Sequence, residues 1–197
     1  MTKIRSAFRT VPLLVVVVIV GSLVSGGSAI AGGGCTITGT QGDDRLIGTN
    51  GADVICGLGG DDRIRGRGGG DVIRGGPGND DMFGNAGVDA IVGGGGSDFM
   101  IPGRGRDLAR GGQGQDFSSV NSAGNDTWHG GAGPDHLTDF RGTDDVFGGG
   151  GGDTCLATQD GVGGDRIQGG AGRDTGDADA GDSVLSVEVQ GVVCFAD

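Results

Sequence analysis

The sequence predicts an all-β repeat fold built from one nine-residue unit. Three observations predict it. From Gly39 to Asp177 the chain divides into fifteen nonads, and each has Gly at position four and Asp at position six. Position eight is a large apolar residue in seven consecutive units: Leu46, Ile55, Ile64, Ile73, Met82, Ile91 and Met100. Positions seven to nine therefore suit a short strand whose middle side chain points inward and whose neighbours point out. An acidic, glycine-rich linker could share this composition. It would have no reason to place one apolar residue every nine.

The segment ahead of the array has a different character. MTKIRSAFRT carries Lys3, Arg5 and Arg9, and the run from Val11 to Val24 is mostly Val, Leu and Ile. Ala29-Ile30-Ala31 then offers a small-residue cleavage site. Residues 1–31 are expected to be a secretory signal peptide, which places the mature chain outside the cell or at its surface. The apolar run is short for a membrane helix of about 20 residues. No second such run follows, so no membrane span is expected in the mature chain.

The array itself has two breaks. Nine units run without a gap from Gly39 to Ser119, and Val120 shifts the phase. Four units follow from Asn121 to Leu156, Ala157 to Gln159 form a second break, and two units end at Asp177. Residues 32–177 are thus one repeat domain. Position eight weakens to Ala109, Ser118, Cys155 and Gly176 in four units. Residues 178–197 leave the period, and Val187, Val189 and Phe195 suit strands that cover the open end of the stack.

The conserved pair of residue types within each unit has a chemical reading. Glycine tolerates positive φ and lets carbonyls turn toward a ligand. Calcium is a hard cation that takes six to eight oxygens from carboxylates and main-chain carbonyls. A glycine loop with one Asp supplies both. All 26 acidic residues lie after Ala31, against 11 arginines and no lysine, so that segment carries a formal −15. Stacked carboxylates of this number need a counter-ion. The same acidity disfavours nucleic acid as a partner.

GGPGNDDMF, from Gly75 to Phe83, carries the whole pattern. It resembles the haemolysin-type calcium-binding repeat known as RTX, whose unit is GGxGxDxUx. The resemblance runs from Gly39 to Asp177. It implies a right-handed parallel β-roll in which two nonads make one turn, units n and n+2 stack, and calcium sits between their loops. The implied metal ligands are Asp44, Asp53, Asp62, Asp71, Asp80, Asp89, Asp98, Asp107, Asp116, Asp126, Asp135, Asp144, Asp153, Asp165 and Asp174. Asp44 pairs with Asp62 on this scheme, Asp53 with Asp71, and so on to Asp98 with Asp116. After the first break Asp126 pairs with Asp144 and Asp135 with Asp153, while the second break obscures the partners of Asp165 and Asp174. Metal binding is then coupled to folding. Family members usually leave the cell by a C-terminal signal, so the N-terminal signal expected here departs from the pattern.

Export also bears on the four cysteines, which suggest two disulfides with three connectivities open. Counting back from the first unit puts Cys35 in a degenerate opening layer, stacked on the layer that holds Cys56. Cys35 with Cys56 and Cys155 with Cys194 is the favoured scheme.

The functional expectation is a secreted, non-enzymatic calcium-binding protein, folded by the ion, with a structural or adhesive role. The alternative is a secreted hydrolase or toxin-like protein carrying an RTX module. Signal, roll and cap account for the sequence and leave no separate catalytic segment. His129 and His136 fall at surface strand positions and are expected to be only that. Phe83, Phe99, Ile101 and Phe117 are expected to face outward on one sheet, and Val54, Val72 and Leu108 on the other. That apolar surface is a candidate for self-association or for a partner.

Overall fold

The computed structural model describes residues 34–118, 123–139, 141–158, 163–178, 182–185 and 189–190. The expected signal peptide, Val187, Phe195 and the Cys155–Cys194 bond lie outside the described residues.

The described residues form a parallel β-solenoid of two sheets. The first sheet holds β1 (Ile37–Thr38), β3 (Val54–Cys56), β5 (Val72–Pro77), β7 (Ala90–Gly95), β9 (Leu108–Gln113), β11 (Thr127–Ala132), β13 (Asp145–Gly150), β15 (Arg166–Ala171) and β17 (Ser183–Leu185), in that spatial order. The second holds β2 (Arg45–Ile47), β4 (Arg63–Gly68), β6 (Asp81–Ala86), β8 (Phe99–Arg104), β10 (Phe117–Ser118), β12 (His136–Asp139), β14 (Thr154–Thr158), β16 (Thr175–Ala178) and β18 (Val189–Gln190). Successive strands alternate between the sheets, so each nonad supplies one strand and two nonads close one turn.

Register follows the period. Ile55 lies beside Ile73, and Ile73 beside Ile91, so units n and n+2 stack. The first break is absorbed by a longer step, since Leu108 pairs with Thr127 and Phe117 with His136. The second break is not a plain loop. Ala157 and Thr158 extend β14 and pair with Asp177 and Ala178. Most strands in the middle of the array are six residues long, not three, because positions one to three of the next unit also pair, as Gly76 does with Gly94.

The core is the position-eight column. Ile55, Ile64, Ile73, Met82, Ile91 and Met100 are all fully buried, and Trp128, Leu137, Val146 and Ile167 continue the column beyond the first break. Burying such a side chain is worth about 1.5–3 kcal/mol. The column is one residue wide, so each turn depends on its neighbours. Ser118 interrupts it and turns the defect into a polar lock. Its Oγ accepts from the Thr138 N–H at 2.8 Å, and the Thr138 hydroxyl donates to the Ser118 carbonyl at 3.3 Å. A register shift between His136 and Thr138 brings Thr138 inward, though its position in the unit points out.

Both ends extend past the fifteen nonads. β1 packs ahead of the first unit, and Cys35 is bonded to Cys56 with Cα atoms 5.9 Å apart. β17 pairs with β15 and β18 with β16, so the described part of the tail continues the stack.

Candidate metal centres

The turns between strands place the position-six aspartates in two columns, one before each sheet. All fifteen are described. From Asp53 to Asp174 they are buried, while Asp44 is half-buried. From Asp62 to Asp174 each accepts a hydrogen bond on Oδ1 from the backbone N–H of the aspartate one turn earlier, and Asp44 and Asp53 open the two columns as donors. Asp62 Oδ1 takes the Asp44 N–H at 2.9 Å, and Asp71 Oδ1 takes the Asp53 N–H at 2.9 Å. The ladder crosses both breaks: Asp107 donates to Asp126 at 2.7 Å, Asp116 to Asp135 at 2.9 Å, Asp144 to Asp165 at 2.6 Å and Asp153 to Asp174 at 3.0 Å. Asp165 and Asp174 thus join the columns that the second break obscured in the sequence.

The second carboxylate oxygen behaves differently. Oδ2 of Asp62, Asp71, Asp80, Asp89, Asp98, Asp116, Asp135, Asp153 and Asp174 is buried and has no hydrogen-bond partner. A buried anionic oxygen without a donor is costly. In the Asp62, Asp71, Asp80, Asp89, Asp98, Asp116, Asp135 and Asp153 units it faces the position-one glycine of its own unit and the position-one carbonyl of the next turn. A Cβ on Gly57 would collide with Asp62 Oδ2 and with the Gly75 carbonyl oxygen, and Gly66, Gly75, Gly84 and Gly93 repeat the arrangement. Glycine is needed there because two oxygens converge where a side chain would stand.

Backbone conformation turns further carbonyls into columns. Gly78 at position four has φ 138°, and a Cβ on it would strike the Gly60 carbonyl. Position two also takes positive φ, and Leu58, Arg67 and Asn85 hold it at 87°, 84° and 79° although they are not glycine.

The electrostatics match this geometry. Burial pushes the Asp62 and Asp71 carboxyls up to about 6, and those of Asp98 and Asp135 up to about 7. Hydrogen bonds from backbone N–H groups oppose the rise, and carboxylates above and below in the column add to it. Among the described residues, no three His, Cys, Asp or Glu side chains cluster as a metal cage. A cation here would be held by column carboxylates and main-chain carbonyls. That hard-oxygen set fits calcium, not a soft transition metal.

Three features were not read from the sequence. Asp182 Oδ1 accepts from the N–H groups of Gly164 and Asp165 at 3.0 and 3.1 Å, so it acts as a sixteenth position-six residue. GDSVL, Gly181 to Leu185, repeats the second half of a nonad, but Ala180 replaces the diagnostic glycine. Position five forms a second ladder with the opposite sense. Asp61 N–H donates to Asp43 Oδ1 at 2.9 Å, Asn79 to Asp61 at 2.7 Å and Ser97 to Asn79 at 2.7 Å. Finally, Thr40 and Thr49 satisfy their own aspartates. The Thr40 N–H and hydroxyl donate to Asp44 Oδ2 at 2.5 and 2.9 Å, and those of Thr49 to Asp53 Oδ2 at 2.6 and 2.9 Å.

The histidines sit apart from these columns. His129 stacks on Phe147 at 4.7 Å, and burial, with the nearby Arg110, lowers its pKa. His136 lies 5.9 Å from the Phe117 ring, and burial lowers its pKa as well.

A parallel solenoid with paired columns of buried carboxylates and glycine carbonyls defines a calcium-binding repeat protein. The model of the RTX calcium-binding nonapeptide repeat, in its four-copy form, matches residues 36–64, 65–100, 92–118, 120–155 and 159–185. The chain belongs to that family. The last matched segment includes Asp182, in agreement with its place in the column. No curated protein matches the chain.

Proposed function

We propose that this is an exported calcium-binding β-roll whose turns are ordered by the ion and whose outer faces serve a structural or adhesive role. The observation that carries the reading is the row of buried Oδ2 atoms with no donor. Nine such oxygens in a fold with a one-residue-wide core favour an expanded chain unless a cation neutralises them. The Asp62 to Asp174 columns are the proposed ligands, with Asp182 closing the end. Calcium would supply the positive charge that lets stacked carboxylates share one interior. Asp44 and Asp53 stand apart, because threonine already fills the role of the cation at Oδ2.

The Cys35–Cys56 bond supports an oxidising compartment. A role without catalysis is supported by the histidines: His129 stacks on Phe147, and His136 lies beside the Phe117 ring with its Nδ1 3.4 Å from the Thr154 hydroxyl on the outer sheet surface. Phe83, Phe99 and Ile101 are half-buried and Phe117 is exposed on the outer face of the second sheet, which supports contact with a second copy or another surface.

The test is circular dichroism and hydrodynamic radius during a calcium titration, with magnesium as control. Calcium at about 10⁻⁴–10⁻³ M should compact the chain and raise its β signal, and magnesium should not. A chain equally compact in chelator, or equally responsive to both ions, would refute the proposal.

A further inference from the structure

We infer that the outer face of the second sheet binds an acidic polysaccharide, and that it does so only when the metal columns are filled. The inference rests on the calcium-folding reading above and names the partner that reading leaves open.

It begins with where the charges sit. The proposed ligands, thirteen aspartates from Asp62 to Asp174 with Asp182, are fourteen of the 26 acidic residues, and the segment after Ala31 carries 11 arginines and a formal −15. Neutralising those fourteen therefore removes nearly all of that net negative charge. The arginines are not spread evenly. Arg45, Arg63 and Arg65 stand on adjacent strands of one outer face, on β2 and β4. Arg45 and Arg63 are exposed, Arg65 is half-buried, and none of the three pairs with a carboxylate among the described residues. Asp81 is the one acid at an outward position of β2 to β10.

Aromatic rings continue this basic end along the sheet. The guanidinium carbons of Arg63 and Arg65 lie 5.7 and 5.6 Å from the Phe83 ring centroid. The ring holds two donor forks beside each other on the surface. Phe83 meets Phe99 edge-on at 6.2 Å, and Phe117 lies beside Phe99 in register. The face thus presents unpaired guanidiniums followed by apolar rings, repeating once per strand at about 4.8 Å.

A linear carboxylated sugar chain fits that order. Its carboxylates match guanidinium forks in bidentate fashion, and the C–H faces of its rings match phenylalanine. A charged bilayer fits less well. Exposed Asp43 and Asp61 rim the same face through the position-five ladder and would repel a broad anionic surface, but not one narrow chain laid along the column.

The experiment uses the full mature chain and fluorescent hyaluronate, with neutral dextran and phosphatidylserine vesicles as comparison. Hyaluronate should bind in calcium, release in chelator, weaken as salt is raised, and leave dextran unbound. The double variant Arg63→Ser, Arg65→Ser should lose at least tenfold in affinity while its calcium-induced dichroism stays unchanged. Arg106→Ser, exposed in a loop, should bind as the parent does. Equal binding by the double variant, binding in chelator, or a preference for vesicles or DNA would overturn the inference. Absent binding with a normal calcium response would overturn it alone. An absent calcium response would remove the calcium-folding reading and this inference together.

Discussion

The first turn and the turns above it solve one electrostatic problem in two ways. In the first turn Thr40 and Thr49 occupy position two, keep negative φ, and give two hydrogen bonds each to the Oδ2 of Asp44 and Asp53. Their hydroxyls also accept from the N–H groups of Gly42 and Gly51 at 3.2 and 3.1 Å, closing a small local turn. Position two takes positive φ in each loop from Leu58 to Gly112 and again at Gly131, and Oδ2 of Asp62, Asp71, Asp80, Asp89, Asp98, Asp116 and Asp135 has no hydrogen-bond partner. A buried carboxylate in this fold can thus be satisfied by a donor from its own loop, as Thr40 and Thr49 do in the first turn, whereas the nine bare Oδ2 atoms above it lack one. That turn is also the one tied by the Cys35–Cys56 bond. On the proposed calcium-folding reading, that first turn is a template at the N-terminal edge on which turns ordered by the ion would stack.

One methyl group added in each region should have the most unequal effects. Gly78→Ala would force Cβ onto the Gly60 carbonyl at φ 138°. It should cost about 3 kcal/mol or more of calcium-loaded stability. Gly42→Ala occupies the same position in the first turn, where nothing lies within 4 Å of the added carbon. It should change stability by less than about 0.5 kcal/mol. Thermal melts in saturating calcium would compare the two, and equal losses would mean that the loops are not distinct.

The next contrast lies in the carboxylates themselves. Asp98→Asn removes charge from a column whose Oδ2 has no donor, and should raise the calcium midpoint about tenfold, or ~1.4 kcal/mol. Asp44→Asn removes a carboxylate already satisfied by Thr40, and should move the midpoint less than about twofold. A calcium titration of both variants by dichroism checks this. If Asp44→Asn proves as harmful as Asp98→Asn, the first turn is an ion site after all.

Much of this was legible in the sequence. The strict nine-residue phase made the solenoid legible, and the resemblance to the RTX repeat supplied the n to n+2 stacking on which the Cys35–Cys56 pairing rests. Chemistry outside the phase was not legible. The donor role of Thr40 and Thr49 was not, since a capping hydrogen bond leaves no periodic trace. Asp182 was missed because Ala180 removed the glycine that marks a unit. Strand length was underestimated as well, because glycine-rich positions one to three gave no strand signal of their own, although their backbones pair.

Acid should act on the upper turns through their raised carboxyls. A folded-state pKa above the ordinary 3.8 means that the compact form holds its proton more tightly. That stabilisation is full below about 3.8 and is lost as pH rises through about 6 for Asp62 and about 7 for Asp98. In chelator, the chain should therefore become more compact as pH falls from about 8 to about 5. In calcium, the same protons compete with the ion, so apparent affinity should fall over that range. Hydrodynamic radius measured with and without calcium separates the two effects. A radius in chelator that grows on acidification would contradict the buried-carboxylate account.

The smallest effect belongs to the threonines. Thr49→Val keeps the backbone N–H to Asp53 but deletes the hydroxyl that donates at 2.9 Å and also holds Gly51. One hydrogen bond to a charged, buried group is worth about 1.5–3 kcal/mol when fully lost. The retained N–H should limit the cost to about 1 kcal/mol. The sign of the calcium dependence distinguishes the two regions better than the cost does. With its donor gone, Asp53 should come to resemble the upper carboxylates, and calcium should restore part of the stability lost. Serine keeps the hydroxyl, so Thr49→Ser should lose little and gain nothing from added ion. A loss in Thr49→Val that calcium does not offset would mean that the first loop cannot accept a cation even when its own donor is removed. The distinction between the two regions would then lie in loop shape and not in donor supply.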